Sequence, residues 1–409
     1  MTNLITRRGA ASLAAGTAAT LLNRRLAAQS VQPAKIAFVG PLSGPLAAIG
    51  RNVKAGADLA VADVNAAGGI KAFGGAPVQL VLADAEDTVE KAKNAAQRLL
   101  AQEPGLLAGM GDAVSGQTLA VTELTEKAEL SWMTTTFADS ITERGYRYVF
   151  DAVPIATAQG QMALPTVMEV AKMAGKTPKT VAVIADSNQA IQGMVKTWRE
   201  GGYDKAGLKV LSEQTYTPPV ADATPLIAPL RRNKPDILFI LPAQLPDLKL
   251  MLDKLSEFGM GRDVLPTFAV SGPSGSQELL AVEGARNLEG FMGIYSNWPG
   301  KGDADMVARF KALTGQPWMT SVSQDAYAVV RVFAAAFEAA GTPDRRKVGE
   351  ALHKMDLPPG PPNFFNGPAR WDERGRRAVA GLVIAQWQNG MPVSVHPAET
   401  ASAAVKWPG

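Results

Sequence analysis

The sequence predicts an α/β protein of two doubly wound, Rossmann-like lobes, and three observations predict it. At 409 residues the chain exceeds what one hydrophobic core usually organises, so two units are expected. From Lys35 onward, strand-like apolar runs alternate with segments of helical spacing, the pattern of a mainly parallel sheet covered by helices. That alternation restarts as a second series at Lys179, a repeat at domain scale. Hydrophobic residues are 46% of the chain, which suits a globular protein, and no apolar run reaches the roughly 18–20 residues of a membrane span.

The N-terminus is set apart before any fold reasoning. "TRRGAASLAAGTAATLLNRRLAAQS" carries a twin arginine (Arg7, Arg8), a weakly apolar run to Leu22 and small residues at Ala27 and Ala28. Residues 1–28 resemble a twin-arginine export signal cleaved near Ala28, the other reading being a basic N-terminal helix. They hold four arginines and no acid, so their loss takes the formal charge from +3 to −1. No nucleic-acid or anionic-membrane patch is then implied. The chain has no cysteine, which excludes disulfides, a thiolate nucleophile and a lipid-anchored cysteine. A free periplasmic location is expected.

Each element follows from local pattern. "KIAFVG" reads as a strand, and the next helix places Leu46, Ile49, Val53, Ala57, Ala60 and Val64 on one face before stopping at "NAAGG". "PVQLVLADA" is a strand leading to a helix that Asp87 or Thr88 can cap. "GLLAGMG" and "ELSWMTTT" are strands flanking a helix over 116–127. The second series reads "KTVAVIADS" (strand), a helix from Ala190 to about Gly201, "LKVLSEQTY" (strand) and "TPLIAPLRRNK" (helix). "PDILFILPA" (strand), "LPDLKLMLDKLSEFG" (helix) and "VLPTFAVSG" (strand) complete it.

Three runs carry a resemblance: "GPLSGPLAAIGRNVKAGADLAVADVNAAGGI", "VQLVLADAEDTVEKAKNAAQRLL" and "FADSITERGYRYVF". The chain from Lys35 to "GPARWDERGR" is similar to the periplasmic leucine/isoleucine/valine-type binding proteins, the type I solute receptors of ABC importers. The resemblance implies two lobes joined by three hinge crossovers and closing on a small ligand. It implies lobe one over 34–151 plus 294–367, and lobe two over 152–293 plus 368–409.

The turn "GPLSGPLAAIG" lacks the spacing of either phosphate-binding glycine motif. What remains is a helix N-terminus at the carboxyl edge of a sheet, suited to anions or polar oxygens, with Ile49 as an apolar wall; plain helix capping is the alternative. The resemblance implies that "GDAVSGQT" (Ala113, Ser115) and "TTTFAD" (Thr135, Thr136, Phe137) grip a carboxylate through hydroxyl and amide donors. These hydroxyls otherwise cap helices, and Phe137 otherwise packs in the core. In lobe two, Ala190 stands where amino-acid binders place an aromatic, Ser271 where an acid is expected, and Gln244 on "LPAQLPD". A buried ammonium without a carboxylate is costly, so a carboxylate without an ammonium is the expected ligand. Asn188, Gln189 and Gln244 are expected to read a distal polar group, and Tyr295 to close over the ligand.

Catalytic sets are missing from the sequence. The histidines are His353 and His396, neither at metal-ligand spacing, and there is no H-E-x-x-H or G-x-S-x-G. The expectation is a monomeric binding protein, not an enzyme, without metal or cofactor, nucleic-acid partner or membrane insertion. Its partners are a small solute, an aromatic or branched aliphatic acid, and the permease subunits of an ABC importer. A branched-chain amino acid or amide as ligand, and a periplasmic sensor on the same fold, stay open as alternatives; a secreted hydrolase lacks its residues.

Overall fold

The computed structural model of the protein describes residues 31–111, 114–270, 272–377 and 380–409. The segment 1–28 read as an export signal lies outside them.

The first lobe is built on Ala34–Gly40 (β1), Val78–Asp84 (β2), Leu106–Met110 (β3), Trp132–Thr134 (β4) and Val149–Asp151 (β5). They form a parallel sheet in the order β2-β1-β3-β4-β5. Its connecting helices are Ala47–Ala66 (α1), Val89–Gln102 (α2) and Ser115–Lys127 (α3). Val53, Ala57, Ala60 and Val64 of α1 are buried, as their spacing predicts. Thr88, not Asp87, caps α2: its hydroxyl accepts the Lys91 N–H at 3.2 Å.

The chain then enters the second lobe through Ala156–Met173 (α4). There follow Thr180–Asp186 (β6), Gln189–Thr197 (α5), Lys209–Tyr216 (β7), Ile237–Leu241 (β8), Leu245–Glu257 (α6), Thr267–Ala269 (β9), Gln277–Leu288 (α7) and Met292–Tyr295 (β10). "TPLIAPLRRNK" forms only two short turns, Thr224–Ile227 and Ala228–Arg231, because Pro229 removes the backbone donor that would continue the helix, whereas Pro225 sits in the first turn, where none is needed. Ala304–Thr314 (α8), Ser321–Ala340 (α9) and Arg345–His353 (α10) return to the first lobe, and Val383–Gln388 (β11) with Met391–His396 (β12) complete the second sheet. That sheet runs β12-β11-β10-β9-β8-β6-β7. Its parallel part, β7-β6-β8-β9-β10, repeats the order of the first sheet, and β11 and β12 add an antiparallel edge.

Three connections therefore cross between lobes: after β5, after β10, and before β11. Tyr295 still belongs to the second sheet, while Ala369 and Trp371 are buried in the first lobe's core. α9 packs against α1 so closely that a Cβ on Gly56 would stand 1.8 Å from the Ser323 carbonyl oxygen. Asp63 of α1 takes both the Tyr327 hydroxyl (2.7 Å) and a two-pronged Arg309 (3.1 and 3.0 Å).

In each lobe the strand order reverses beside its first strand, between β1 and β3 and between β6 and β8. Open α/β sheets bind ligands in the crevice at that reversal, at the carboxyl ends of the strands.

Candidate ligand-binding cleft

The lobe-one wall is set by the loop between β1 and α1. Asp84, ending β2, accepts the backbone N–H groups of Leu42 (2.9 Å), Ser43 (3.3 Å) and Glu86 (2.9 Å) through one oxygen. Burial opposes its ionisation, but hydrogen bonds from Ser43 and from those N–H groups outweigh it and hold the carboxyl below its ordinary value. The loop delivers Leu46, Ile49 and Asn52 to a cavity of about 460 Å³ between the lobes. Gly111, ending the next loop's strand, has φ +117° and packs against the Val39 carbonyl, a position open only to glycine.

Lobe two answers with the loops after β8 and β9. Asp186, ending β6, is buried; it accepts the N–H groups of Asn188 and of Ala243 (3.3 Å), which fixes the turn carrying Gln244. Burial pushes this carboxyl up, against those two hydrogen bonds, and Asp247 nearby adds to the rise. Gln244, Leu245, Pro273, Ser276 and Glu278 face the cavity from this side. No lysine or arginine lines it among the described residues. The lobes also touch across its rim: the Gln277 amide donates to the Trp318 carbonyl at 2.8 Å in the turn between α8 and α9, and Gln316 ties that turn to Asn52 of α1 at 3.1 Å.

The residues singled out by sequence fall into three groups. Ile49 and Gln244 line the cavity. Phe137 is half-buried against the cores of both lobes, and Ala190 is buried beside Ala138 and Ile141 of lobe one, so both sit where the lobes meet. Asn188 accepts the Ala190 N–H at 2.9 Å as the cap of α5, and Gln189 opens that helix. Ser115 opens α3 and is half-buried, as is Thr135. The Thr136 hydroxyl is buried in a cluster with those of Thr134 (2.9 Å) and Thr118 (3.1 Å). Tyr295 is buried in the lobe-two core, its hydroxyl 2.9 Å from that of Ser274 and its ring on Trp298 at 4.6 Å, and burial pushes its phenol up. Ala113 and Ser271 lie outside the described residues. Among the described residues no cluster of three or more metal-ligating side chains occurs; His353 sits 2.8 Å from the Arg147 carbonyl and His396 lies near Glu169.

Glu278 is the residue sequence reasoning passes over. It ends the run "VSGPSGSQE", in which Ser271 takes the position of an acid, and it sits in the first turn of α7 after the capping Ser276. An acid there reads as a helix-end charge. Its Oε2 is buried and has no hydrogen-bond partner among the described residues.

The profile of the family described as Periplasmic binding protein matches residues 33–391. The chain belongs to that family. As a periplasmic binding protein it is similar to the Leu/Ile/Val-binding protein homolog 7 of Brucella melitensis, 26% identical over 388 residues, 91% of this chain and 94% of that one. Homolog 8 of Brucella abortus is 26% identical over 411 residues, 97% of each. Among solved structures, the branched-chain amino acid transporter substrate binding protein LivJ from Streptococcus pneumoniae, in complex with isoleucine, superposes with TM-score 0.73 at 20% identity, covering 89% of this chain and 100% of that one. A solute binding protein of an ABC transporter from Rhodopseudomonas palustris, in complex with 3,4-dihydroxy benzoic acid, gives TM-score 0.73 at 18% identity over 92% and 99%. These likenesses show the two-lobe type I fold.

Proposed function

We propose that this periplasmic binding protein is the exported solute receptor of an ABC importer, and that it closes on a small organic acid with an apolar body, aromatic or branched aliphatic. The carrying observation is a pair of helix N-termini, α1 from one lobe and α6 from the other, that border the same cavity with no side chain capping either. Ala47 and Ile49 spend their N–H groups on the Gly44 and Leu46 carbonyls and Pro246 has none, so the Ala48 N–H of α1 and the Leu245 N–H of α6, with the two dipoles, are what offer a carboxylate donors without a basic side chain. Each hydrogen bond to such a charge contributes about 1.5–3 kcal/mol. Leu46, Ile49 and Val322 give the ligand's body an apolar wall, and the volume suits a small-molecule site. Ligand binding stabilises the closed arrangement by rotation at the three crossovers, and the closed surface docks on the permease. Export by the twin-arginine route is supported by Arg7 and Arg8. The chain is a receptor and not an enzyme.

Glu278 favours a second reading, an α-amino acid, because its unpartnered oxygen on the cavity wall offers an ammonium its counter-charge. Matched ligands separate the two. Thermal unfolding of the chain lacking residues 1–28 is followed with leucine against its deaminated acid, phenylalanine against phenylpropanoate, and benzoate. A ligand at about a hundred times its Kd adds about 2.7 kcal/mol, a shift of a few degrees. Stabilisation by the acids alone supports the first reading. Stabilisation by the amino acids alone, lost in Glu278→Gln, supports the second. No response to any of them sinks the carboxylate assignment.

A further inference from the structure

The run "GPARWDERGR" and the arginine after it take no part in the cleft; the run, with Ala369 and Trp371 in the first lobe's core, leads into the third crossover at Arg377. Arg377 is where the crossovers converge. Its Nη1 donates to the Ala152 carbonyl at the start of the first crossover at 3.1 Å, and its Nη2 to the Asn366 (2.8 Å) and Pro368 (3.3 Å) carbonyls in the lobe-one segment that precedes the third. Its guanidinium lies over the Phe365 ring, 4.6 Å from the centroid. From the second crossover, Ser296 Oγ donates to Asp325 Oδ2 on α9 at 2.8 Å, and the neighbouring Asn297 amide donates to the Phe364 carbonyl at 3.0 Å. These contacts sit where the chain passes between the lobes, so rotation of one lobe against the other acts on them.

Both charged groups are incompletely satisfied. Asp325 is 2% exposed and Arg377 8% exposed. Asp325 Oδ1 and Arg377 Nε have no hydrogen-bond partner among the described residues, and the two side chains do not form a direct ion pair. A buried carboxylate so placed either keeps a proton or draws a cation to itself. Burial pushes Asp325 up to about 7, against the Ser296 hydrogen bond, the Arg377 charge and Asn297. Burial pushes Arg377 down to about 10, against the Asp325 charge. Among the described residues Arg377 is the charged group acting on Asp325, the Ser296 and Asn297 side chains being neutral.

We propose that Asp325 and Arg377 form a protonation-coupled hinge switch. With Asp325 protonated, the crossovers hold the arrangement seen here. When Asp325 gives its proton to solvent, the carboxylate draws the guanidinium off the Ala152 and Asn366 carbonyls, and the angle between the lobes changes. The switch is independent of which solute the cleft takes. It is also distinct from Asp151, a second buried acid at the first crossover that burial pushes up and that Thr142 and Arg376 face.

Because the chain has no cysteine, Gln97→Cys on α2 and Glu257→Cys on α6 place one spin label on each lobe. Their separation is measured by pulsed electron–electron resonance without ligand, from about pH 5 to about pH 9. The expected result is a distance distribution that shifts with a midpoint near 7, does not shift in Asp325→Asn, and shifts at higher pH in Ser296→Ala, which loses the hydrogen bond to the carboxylate. A pH-invariant distance in the otherwise unaltered chain overturns the switch. So does a titration that persists in Asp325→Asn. Should Asp325→Asn fail to fold, an unmoved midpoint in Ser296→Ala overturns it equally.

Discussion

The two lobes share a strand order and solve the same problem with opposite electrostatics. Each must pin a cleft loop at the carboxyl edge of its sheet, and each uses an aspartate that ends a strand: Asp84 on the edge strand β2, next to β1, and Asp186 on β6, which borders the reversal. Asp84 is part-exposed and takes three backbone N–H groups on one oxygen, so hydrogen bonding wins and the ionised form is favoured. Asp186 is fully buried with two N–H partners and Asp247 nearby, so desolvation wins and the carboxyl sits above its ordinary value. Burial decides the sign, because the desolvation penalty grows faster than two hydrogen bonds repay it.

Both lobes seat a helix on a glycine, Gly56 of α1 on the Ser323 carbonyl and Gly160 of α4 on the Met194 carbonyl, and Gly56→Ala, the tighter contact, has the largest expected effect. The added Cβ must push α1 off the α9 backbone, a clash with no flexible side chain to yield. A loss of about 3 kcal/mol, read as a lowered urea midpoint, is expected, with the ligand-binding geometry of lobe two untouched. A wild-type midpoint would show that the two helices separate freely.

Asp186→Ala comes next. It leaves the Ala243 and Asn188 N–H groups unpaired in a buried site and should lower stability by about 2 kcal/mol; Asp84→Ala, at a more exposed loop, should lower it by about 1 kcal/mol. Equal losses in the two variants would remove the role given to burial.

The pH dependences sharpen the contrast further. Asp84 sits below its ordinary value, so its stabilisation is present above that value and is lost as pH falls through the lowered one. Asp186 sits above its ordinary value: as pH rises from that value through the raised one, the unfolded chain ionises first and stability declines. Melting temperature followed across the acid range should therefore lose its fall toward low pH in Asp84→Asn and its fall toward neutral pH in Asp186→Asn. The same profile in both variants would refute opposite signs. At the small end, Lys91→Ala removes an exposed pair with Glu86 and Asp87 and should leave the melting temperature unchanged within error.

Legibility in the sequence followed burial on one side. α1 and α2 alternate a buried and a solvated face, and their spacing showed it. α9 is buried along nearly its whole length, from Ser321 to Phe337, and buries its polar Ser323, Gln324 and Asp325 as well, so polarity does not mark its solvent side. The short turns after β7 fail as a helix for a reason visible in Pro229, yet the apolar residues around it suggested continuity. At the cleft, Ile49 and Gln244 were readable because each lies one turn or less from a strand–helix junction. Glu278 was not, since the loop after β9 makes a helical turn at Gly272–Gly275 that moves the acid from the strand end to the cavity wall.

The sequence by itself determined the alternation of strands and helices, the two series and the absence of a phosphate-binding turn, all of which are local and need only neighbours within a few residues. Only the tertiary structure decided which side chains share the cleft, that Tyr295 belongs to a core, and that Ala152, Ser296, Asp325 and Arg377 meet at one hinge. Those partners lie far apart in the chain, and what joins them is the burial of polar groups that must find one another once water is excluded.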